Sequence, residues 1–200
     1  MTAAESIADG GRWALYPKVS PDGHQVAFAR SDGSSDPQIH LTNLDGARPV
    51  TLTRSNDVSR FDWTPDGRIV FSQTDFVDRY RILRDLYLAH PSGRVRRITT
   101  GARLDYPTVS PDGEVVLAVQ QSGGQSWLSQ VALSTGRVTP LGHAAAQAPE
   151  AQWSYPAWSP DGRWIAVSRW TPGAHHDLVI LDDVGQLVDE VTADRALDLA

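Results

Sequence analysis

The residue types that carry nucleophilic catalysis occur in this chain, but their spacing matches no catalytic motif. A serine nucleophile of the α/β-hydrolase kind lies in the motif Gly-x-Ser-x-Gly, which the sequence lacks. The nearest match has Gly124 and Ser126, but Leu128 stands where the second glycine is required. Cysteine is absent, which excludes a thiol nucleophile, a disulfide and a thiolate zinc site. We therefore expect no catalytic residues in this chain.

The histidines and aspartates also lack the spacing of a metal site. The motif His-Glu-x-x-His is absent, and His175, His176 and Asp177 are consecutive. Neighbouring residues of a strand point to opposite faces, so these three side chains favour a polar loop over a shared metal ion. A calcium site needs several carboxylates that converge on one point. We predict neither a metal nor a cofactor.

Four aspartates instead recur with a regular spacing. Each lies in the motif Ser/Thr-Pro-Asp-Gly, whose prolines are residues 21, 65, 111 and 160, giving spacings of 44, 46 and 49 residues. Such a period is typical of repeat architectures. Proline fixes φ for the second position of a turn, aspartate bonds back to the backbone, and glycine accepts a positive φ. The motif therefore indicates a turn between two strands, and the aspartates form turns on separate repeats.

The elements that surround each turn are short strands. Apolar or alternating segments precede and follow every Pro-Asp-Gly, and two more alternating segments complete each repeat. Four antiparallel strands in about 45 residues describe one blade of a β-propeller. We predict an all-β chain of four four-stranded antiparallel blades in a single domain, residues 1–200. The repeats span about residues 12–53, 57–99, 103–141 and 152–192.

The pattern Tyr-Pro-x-x-Ser-Pro-Asp-Gly, followed by an apolar strand and a turn that ends in glycine, resembles the WD40-like repeat of the TolB propeller family. The resemblance covers essentially the whole chain, and the second repeat departs most because Arg60-Phe61 stands where Tyr-Pro stands elsewhere. The resemblance implies a non-enzymatic module of a larger bacterial envelope protein in the periplasm, with a protein or peptide partner. The same repeat also resembles the propellers of prolyl-oligopeptidase-type and tricorn-type peptidases. The alternative is therefore a substrate-gating propeller whose catalytic domain is not in this chain.

TolB-like propellers close with about six blades, so four repeats imply an open arc that is part of a ring. A closed ring of four blades is the alternative. An open arc exposes its terminal blades, through which copies could assemble.

Composition limits the class of partner. Hydrophobic residues make up 40% and charged residues 21% of the chain, and the net charge is -6. A negative net charge argues against nucleic acid, because phosphate binding needs a basic surface. No apolar run has the length of a membrane span, so direct membrane insertion is not expected. Residues 1–11 lack the basic and apolar regions of a signal peptide.

The loops are the best candidates for a binding site. In a propeller, the loop between the second and third strands and the loop into the next blade lie on one face, and function tends to lie on such loops. The longest predicted loop spans residues 74–84 and contains Arg and Tyr, the types that anchor protein interfaces. The candidate residues of this face are Arg79, Tyr80, Arg81, Arg103, Trp153, Trp170 and His175.

Overall fold

The described residues form sixteen β-strands. A computed structural model describes residues 13–31, 36–44, 49–53, 58–76, 78–142, 149–173 and 175–192. The strands are β1 (Trp13–Val19), β2 (Gln25–Ser31), β3 (Gln38–Asn43), β4 (Val50–Thr51), β5 (Val58–Trp63), β6 (Ile69–Phe76), β7 (Ile82–Ala89), β8 (Val95–Arg97), β9 (Leu104–Val109), β10 (Val115–Ser122), β11 (Gln125–Ala132), β12 (Val138–Pro140), β13 (Gln152–Trp158), β14 (Trp164–Trp170), β15 (His176–Asp182) and β16 (Leu187–Glu190).

Each run of four consecutive strands forms one antiparallel sheet. The four sheets have the orders β1-β2-β3-β4, β5-β6-β7-β8, β9-β10-β11-β12 and β13-β14-β15-β16. We call them the first to fourth blades. This confirms the predicted fold class of four four-stranded antiparallel propeller blades. The described part of the chain holds no helix with the length and hydropathy that a bilayer span needs.

The Pro-Asp-Gly motif forms the turn between the first two strands of a blade, as predicted. In the first blade, the Gly23 N–H donates to the Ser20 carbonyl at 2.9 Å, and Gly23 has a φ of 74°. The Ser20 hydroxyl donates to Asp22 at 2.6 Å and accepts from the Gln25 N–H at 2.9 Å. Serine and aspartate therefore close the turn together, which explains why both recur.

The turn aspartates give the stability of the chain a dependence on pH. A hydrogen bond from the hydroxyl of the motif serine is the main cause that lowers the pKa of Asp22, Asp112 and Asp161. For Asp66, the main cause of the lowered pKa is the hydrogen bond from the Arg68 side chain. A carboxyl whose pKa is lower in the folded state stabilises the fold above its unfolded pKa, near 3.9. That stabilisation is lost as the pH falls through the folded pKa.

We therefore expect Asp161→Asn to lower the melting temperature at pH 7 more than at pH 3. The wild-type carboxyl is charged at pH 7 and becomes protonated in acid, when it resembles the amide of the variant. Thermal unfolding followed by circular dichroism across this range checks the prediction. Asp36→Asn is the control, since Asp36 lies outside the motif. An equal loss at both pH values for Asp161→Asn would contradict the role of its charge.

A bulge in the first strand of the blades is a feature that the sequence pattern did not reveal. Tyr16, Tyr106 and Tyr155 have φ values of 57°, 53° and 54°, and a proline follows each of them. The register between the first and second strands shifts at these tyrosines. A left-handed conformation at a non-glycine residue is uncommon and costs about 1 kcal/mol or more. The bulge re-aims the tyrosine side chain relative to its strand.

The chain divides into two compact units, Met1–Gly101 and Ala102–Ala200, which are described separately. In the first unit, the core lies between the first and second blades and includes Ile39, Leu52, Phe61 and Phe71. Trp63 joins this core at 7% exposure and donates its indole N–H to the Lys18 carbonyl at 3.0 Å. In the second unit, the core lies between the third and fourth blades and includes residues such as Leu117, Leu128, Trp153, Ile165 and Val179.

Candidate protein-binding surface

The hairpin formed by β6 and β7 is longer than predicted. Phe76 pairs with Ile82, and the pairing runs without a break to Ile69 and Ala89. The predicted loop of residues 74–84 is therefore wrong at both ends, because β6 continues to Phe76 and β7 begins at Ile82. The reason is that backbone pairing continues wherever two antiparallel strands stay in register, even where their side chains are polar. The end of the hairpin extends from the second blade as continuous antiparallel pairing.

Asp78 orders the end of this hairpin. Its carboxylate accepts hydrogen bonds from the N–H groups of Tyr80 and Arg81, both at 2.9 Å. It also accepts one from Arg81 Nε at 2.7 Å. These bonds lower the pKa of Asp78, with the Tyr80 N–H as the largest cause. An aspartate that bonds to the backbone two residues ahead fixes a turn, so the side chains that follow have a defined direction.

Large side chains at the end of the hairpin are exposed. Tyr80 is 85% exposed, Phe76 is 59% exposed and Ile82 is 53% exposed. The Arg79 guanidinium lies 5.8 Å from the centroid of the Tyr80 ring. We call Phe76, Arg79, Tyr80, Arg81 and Ile82 the hairpin-tip patch. Aromatic and arginine side chains at an ordered, exposed position are the types that carry most of the energy of protein interfaces.

A polar network lies next to the hairpin-tip patch in the same blade. The Tyr87 hydroxyl donates to Asp75 at 2.6 Å, and Arg97 donates to Asp85 at 2.7 Å. Asp85 is fully buried and also accepts from the Thr99 hydroxyl at 2.8 Å. Burial raises the pKa of Tyr87, and the bond to Asp75 raises it further. The Tyr87 bond is the main cause of the lowered pKa of Asp75.

This network joins β6, β7 and β8 below the hairpin-tip patch. Asp85 also accepts from the Gly101 N–H at 2.7 Å, and Arg97 lies 3.6 Å from Asp75. A buried carboxylate needs several such partners, because an unpaired charge in the interior is costly. The network therefore keeps the hairpin fixed to the rest of its blade.

The other candidate residues lie in the second unit. Arg103 directly precedes β9, has a φ of 58° and donates to the Ser122 hydroxyl at 3.0 Å. His175 is exposed in the connection between β14 and β15. Trp170 ends β14, and its ring centroid lies 6.4 Å from that of His176. These residues remain candidates for contact with a partner.

Trp153 requires a correction. The sequence placed it in a loop of the binding face, but it lies inside β13 and is only 4% exposed. Its backbone N–H donates to the Ser126 hydroxyl at 2.8 Å, which links the fourth blade to the third. Tryptophan has the largest apolar surface of any side chain, and in this unit that surface fills the core between the blades. Trp153 is a packing residue.

The structure brings together Arg79, Tyr80 and Arg81 and adds Phe76 and Ile82, which sequence reasoning missed. Residues 72–75 are all polar and do not alternate with apolar residues, so no signal in the sequence indicated that the strand continues to position 76. Among the described residues, no group of three or more histidine, aspartate or glutamate side chains is placed to hold a metal ion. The surface offers apolar contact, cation–π contact and hydrogen bonding, which are the means of binding a protein.

The sequence matches no protein-family model and no curated protein. Solved structures do share its fold. The crystal structure of TolB from Acinetobacter baumannii is 20% identical with a TM-score of 0.71, over 88% of this chain and 42% of that chain. A protein described as a TolB from Agrobacterium tumefaciens is 21% identical with a TM-score of 0.74, over 90% of this chain and 66% of that chain.

The chain has the fold of a TolB-type propeller. The chain covers less than two thirds of the length of both structures. The fold is shared with enzymes as well. A puromycin-hydrolyzing peptidase from Mycobacterium tuberculosis is 18% identical with a TM-score of 0.59, over 92% of this chain and 31% of the peptidase.

Proposed function

We propose that this TolB-like chain is a non-enzymatic protein- or peptide-binding module of a larger bacterial envelope protein. The observation that carries the proposal is the hairpin-tip patch, where Tyr80 is 85% exposed on a turn fixed by Asp78. A large exposed aromatic residue costs solubility, so an ordered cluster of them marks an interaction site. The similarity to TolB structures supports the class of function and a periplasmic location.

The mixed character of the patch indicates the chemistry of the partner. Phe76 and Ile82 offer apolar contact, and Arg79 adds a cation beside the Tyr80 ring. A complementary surface would combine an apolar pocket with acidic groups at its rim, since charged groups at a rim steer association. In the second unit, Arg103, Trp170 and His175 are proposed as further contacts of the same binding module.

Site-specific photocrosslinking tests the proposed function. A photoreactive amino acid is placed at position 80, and the full-length protein is irradiated in the intact Gram-negative cell. We expect a discrete crosslinked partner that disappears when Phe76→Ser is added. The control position is 184, where Val184 is 51% exposed on the turn between β15 and β16. The same product from both positions, or none from position 80, would overturn the proposal.

The second candidate function is a substrate-gating propeller of a larger peptidase. The observation that favours it is the match of a puromycin-hydrolyzing peptidase to 92% of this chain. The reading frame that surrounds the segment decides between the two functions. A downstream Gly-x-Ser-x-Gly motif with a later aspartate and histidine would support the peptidase. An envelope protein without these residues would support the binding module.

A further inference from the structure

A groove lies between the first and second blades, within the first unit. Its volume is about 890 Å³, inside the range of roughly 300–1,000 Å³ that ligand sites occupy. One wall comes from β2, β3 and β4, and the other comes from β6, β7 and the turn into β8. The lining residues that matter here are Leu41, Val50, Thr51, Leu52, Tyr87 and Val95.

Among the residues that the structure describes, none that lines the groove is charged. The remaining lining residues are glutamine, asparagine, threonine, serine, proline and glycine, although charged residues make up 21% of the chain. A charged ligand would lose hydration in such a groove without gaining an opposite charge. Amide and hydroxyl groups, by contrast, can exchange hydrogen bonds with a neutral polar ligand. The lining therefore favours an uncharged ligand with its own donors and acceptors.

Apolar side chains form both the rim and the deeper wall of the groove. Val50 and Val95 line it at 66% and 41% exposure. Leu41, Leu52 and Tyr87 also line it, are each 6% exposed, and belong to the core of the unit. An apolar side chain that enters the groove would remove the two exposed valines from water and contact the core. This contact is favourable in proportion to the apolar area that it buries.

The edge of β4 supplies the polar part of the interaction. β4 is the last strand of its sheet. The Leu52 N–H donates to the Ile39 carbonyl at 2.7 Å, so the backbone of Leu52 faces β3. In an antiparallel pair, adjacent residues alternate in the direction of their backbone groups. The N–H and C=O of the exposed residue Thr51 therefore face away from β3, where another extended chain can pair with them.

We propose that this groove binds a short, extended, uncharged peptide segment. The segment pairs with β4 through the backbone of Thr51 and inserts an apolar side chain beside Val50 and Val95. Addition of a strand to an open sheet edge is a general mode of peptide recognition, in which the main chain provides affinity and pockets provide specificity. The site is separate from the hairpin-tip patch and does not depend on the function proposed for that patch.

Calorimetric titration of the full chain tests the proposal with two synthetic peptides. The neutral probe is acetyl-Ser-Val-Thr-Val-Ser-amide, and the charged probe replaces both serines by glutamate. We expect the neutral probe to bind with a Kd below about 1 mM and the charged probe at least tenfold more weakly. Val50→Asp and Thr51→Pro should each weaken binding of the neutral probe at least tenfold. Thr51→Pro removes an N–H that faces away from the sheet and the hydroxyl that lies 3.4 Å from His40 Nδ1, and edge strands tolerate proline.

Two controls identify the site. Val188→Asp changes a valine that is 51% exposed on β16, the last strand of the fourth blade, and should leave binding unchanged. Tyr80→Ala should also leave it unchanged, because Tyr80 lies outside the groove. Circular dichroism verifies that each variant is folded. The absence of binding by the neutral probe, equal binding of both probes, insensitivity to Val50→Asp, or loss of binding in Tyr80→Ala would each overturn the proposal.

Discussion

Replacement of Asp85 by alanine should lower the free energy of unfolding by about 3–5 kcal/mol. Asp85 is fully buried and accepts hydrogen bonds from Arg97, Thr99 and Gly101. Removal of the Asp85 carboxylate leaves the Arg97 guanidinium without its nearest acceptor. The Thr99 hydroxyl and the Gly101 N–H also lose their acceptor. Removal of one partner of a buried pair is expensive for this reason, even when the intact pair contributes little. Urea unfolding followed by tryptophan fluorescence measures the loss.

The control for Asp85 is Arg81→Ala. The Arg81–Asp78 pair has the same 2.7 Å distance as the Arg97–Asp85 pair, but its side chains are 61% and 42% exposed. Water can solvate the Asp78 carboxylate that remains in Arg81→Ala, so the expected loss is below about 1 kcal/mol. Equal losses in the two variants would show that burial does not decide the value of these ion pairs. A loss below about 1 kcal/mol in Asp85→Ala would contradict the role of the network.

Replacement of Tyr80 by alanine should weaken binding of the photocrosslinked partner by about 2 kcal/mol, a factor of about 30. Tyr80 is 85% exposed in the free chain, so a partner can bury nearly the whole ring. The same exposure means that the ring contributes little to the fold. We therefore expect Tyr80→Ala to shift the melting temperature no more than other surface substitutions do. Surface plasmon resonance with the purified partner measures the affinity.

The control for Tyr80 is Leu178→Ala. Leu178 is a large apolar residue that is 40% exposed on β15 in the second unit, outside the proposed hairpin-tip patch. Its replacement should leave the affinity unchanged. Asp78→Ala is a further variant, because it removes the bonds that order the turn while leaving Tyr80 in place. We expect it to weaken binding less than Tyr80→Ala. An unchanged affinity in Tyr80→Ala would exclude the ring as an anchor of the interface.

The repeat could be predicted from the sequence because its signals are local. Proline, aspartate and glycine in the motif around Asp22 specify one turn, and the alternation that follows it specifies strands of a sheet. Four copies in phase then indicate blades, since a blade cannot bury its faces alone. These local rules gave the correct fold class without knowledge of any long-range contact.

Residues whose roles depend on neighbouring strands were harder to predict. Trp153 looked like a loop residue because nothing in its immediate sequence shows that Ser126 of the preceding blade pairs with it. The length of the β6–β7 hairpin was missed because Phe76 and Ile82 pair beyond the polar residues 72–75, which carry no strand pattern. The left-handed tyrosine before proline was also unforeseen, since the bulge exists only relative to the register of the next strand.

The sequence by itself determined the number of blades, the position of the turns and the absence of the catalytic serine motif within this chain. Those properties follow from the types of residues and their spacing. The tertiary structure decided which exposed side chains share a surface, which carboxylate is buried, and where a groove remains between blades. Burial and proximity depend on contacts between residues far apart in the chain. For that reason, the sequence was enough to select Tyr80 as a candidate contact residue. The burial of Asp85 and the groove beside Thr51 are visible only in the tertiary structure.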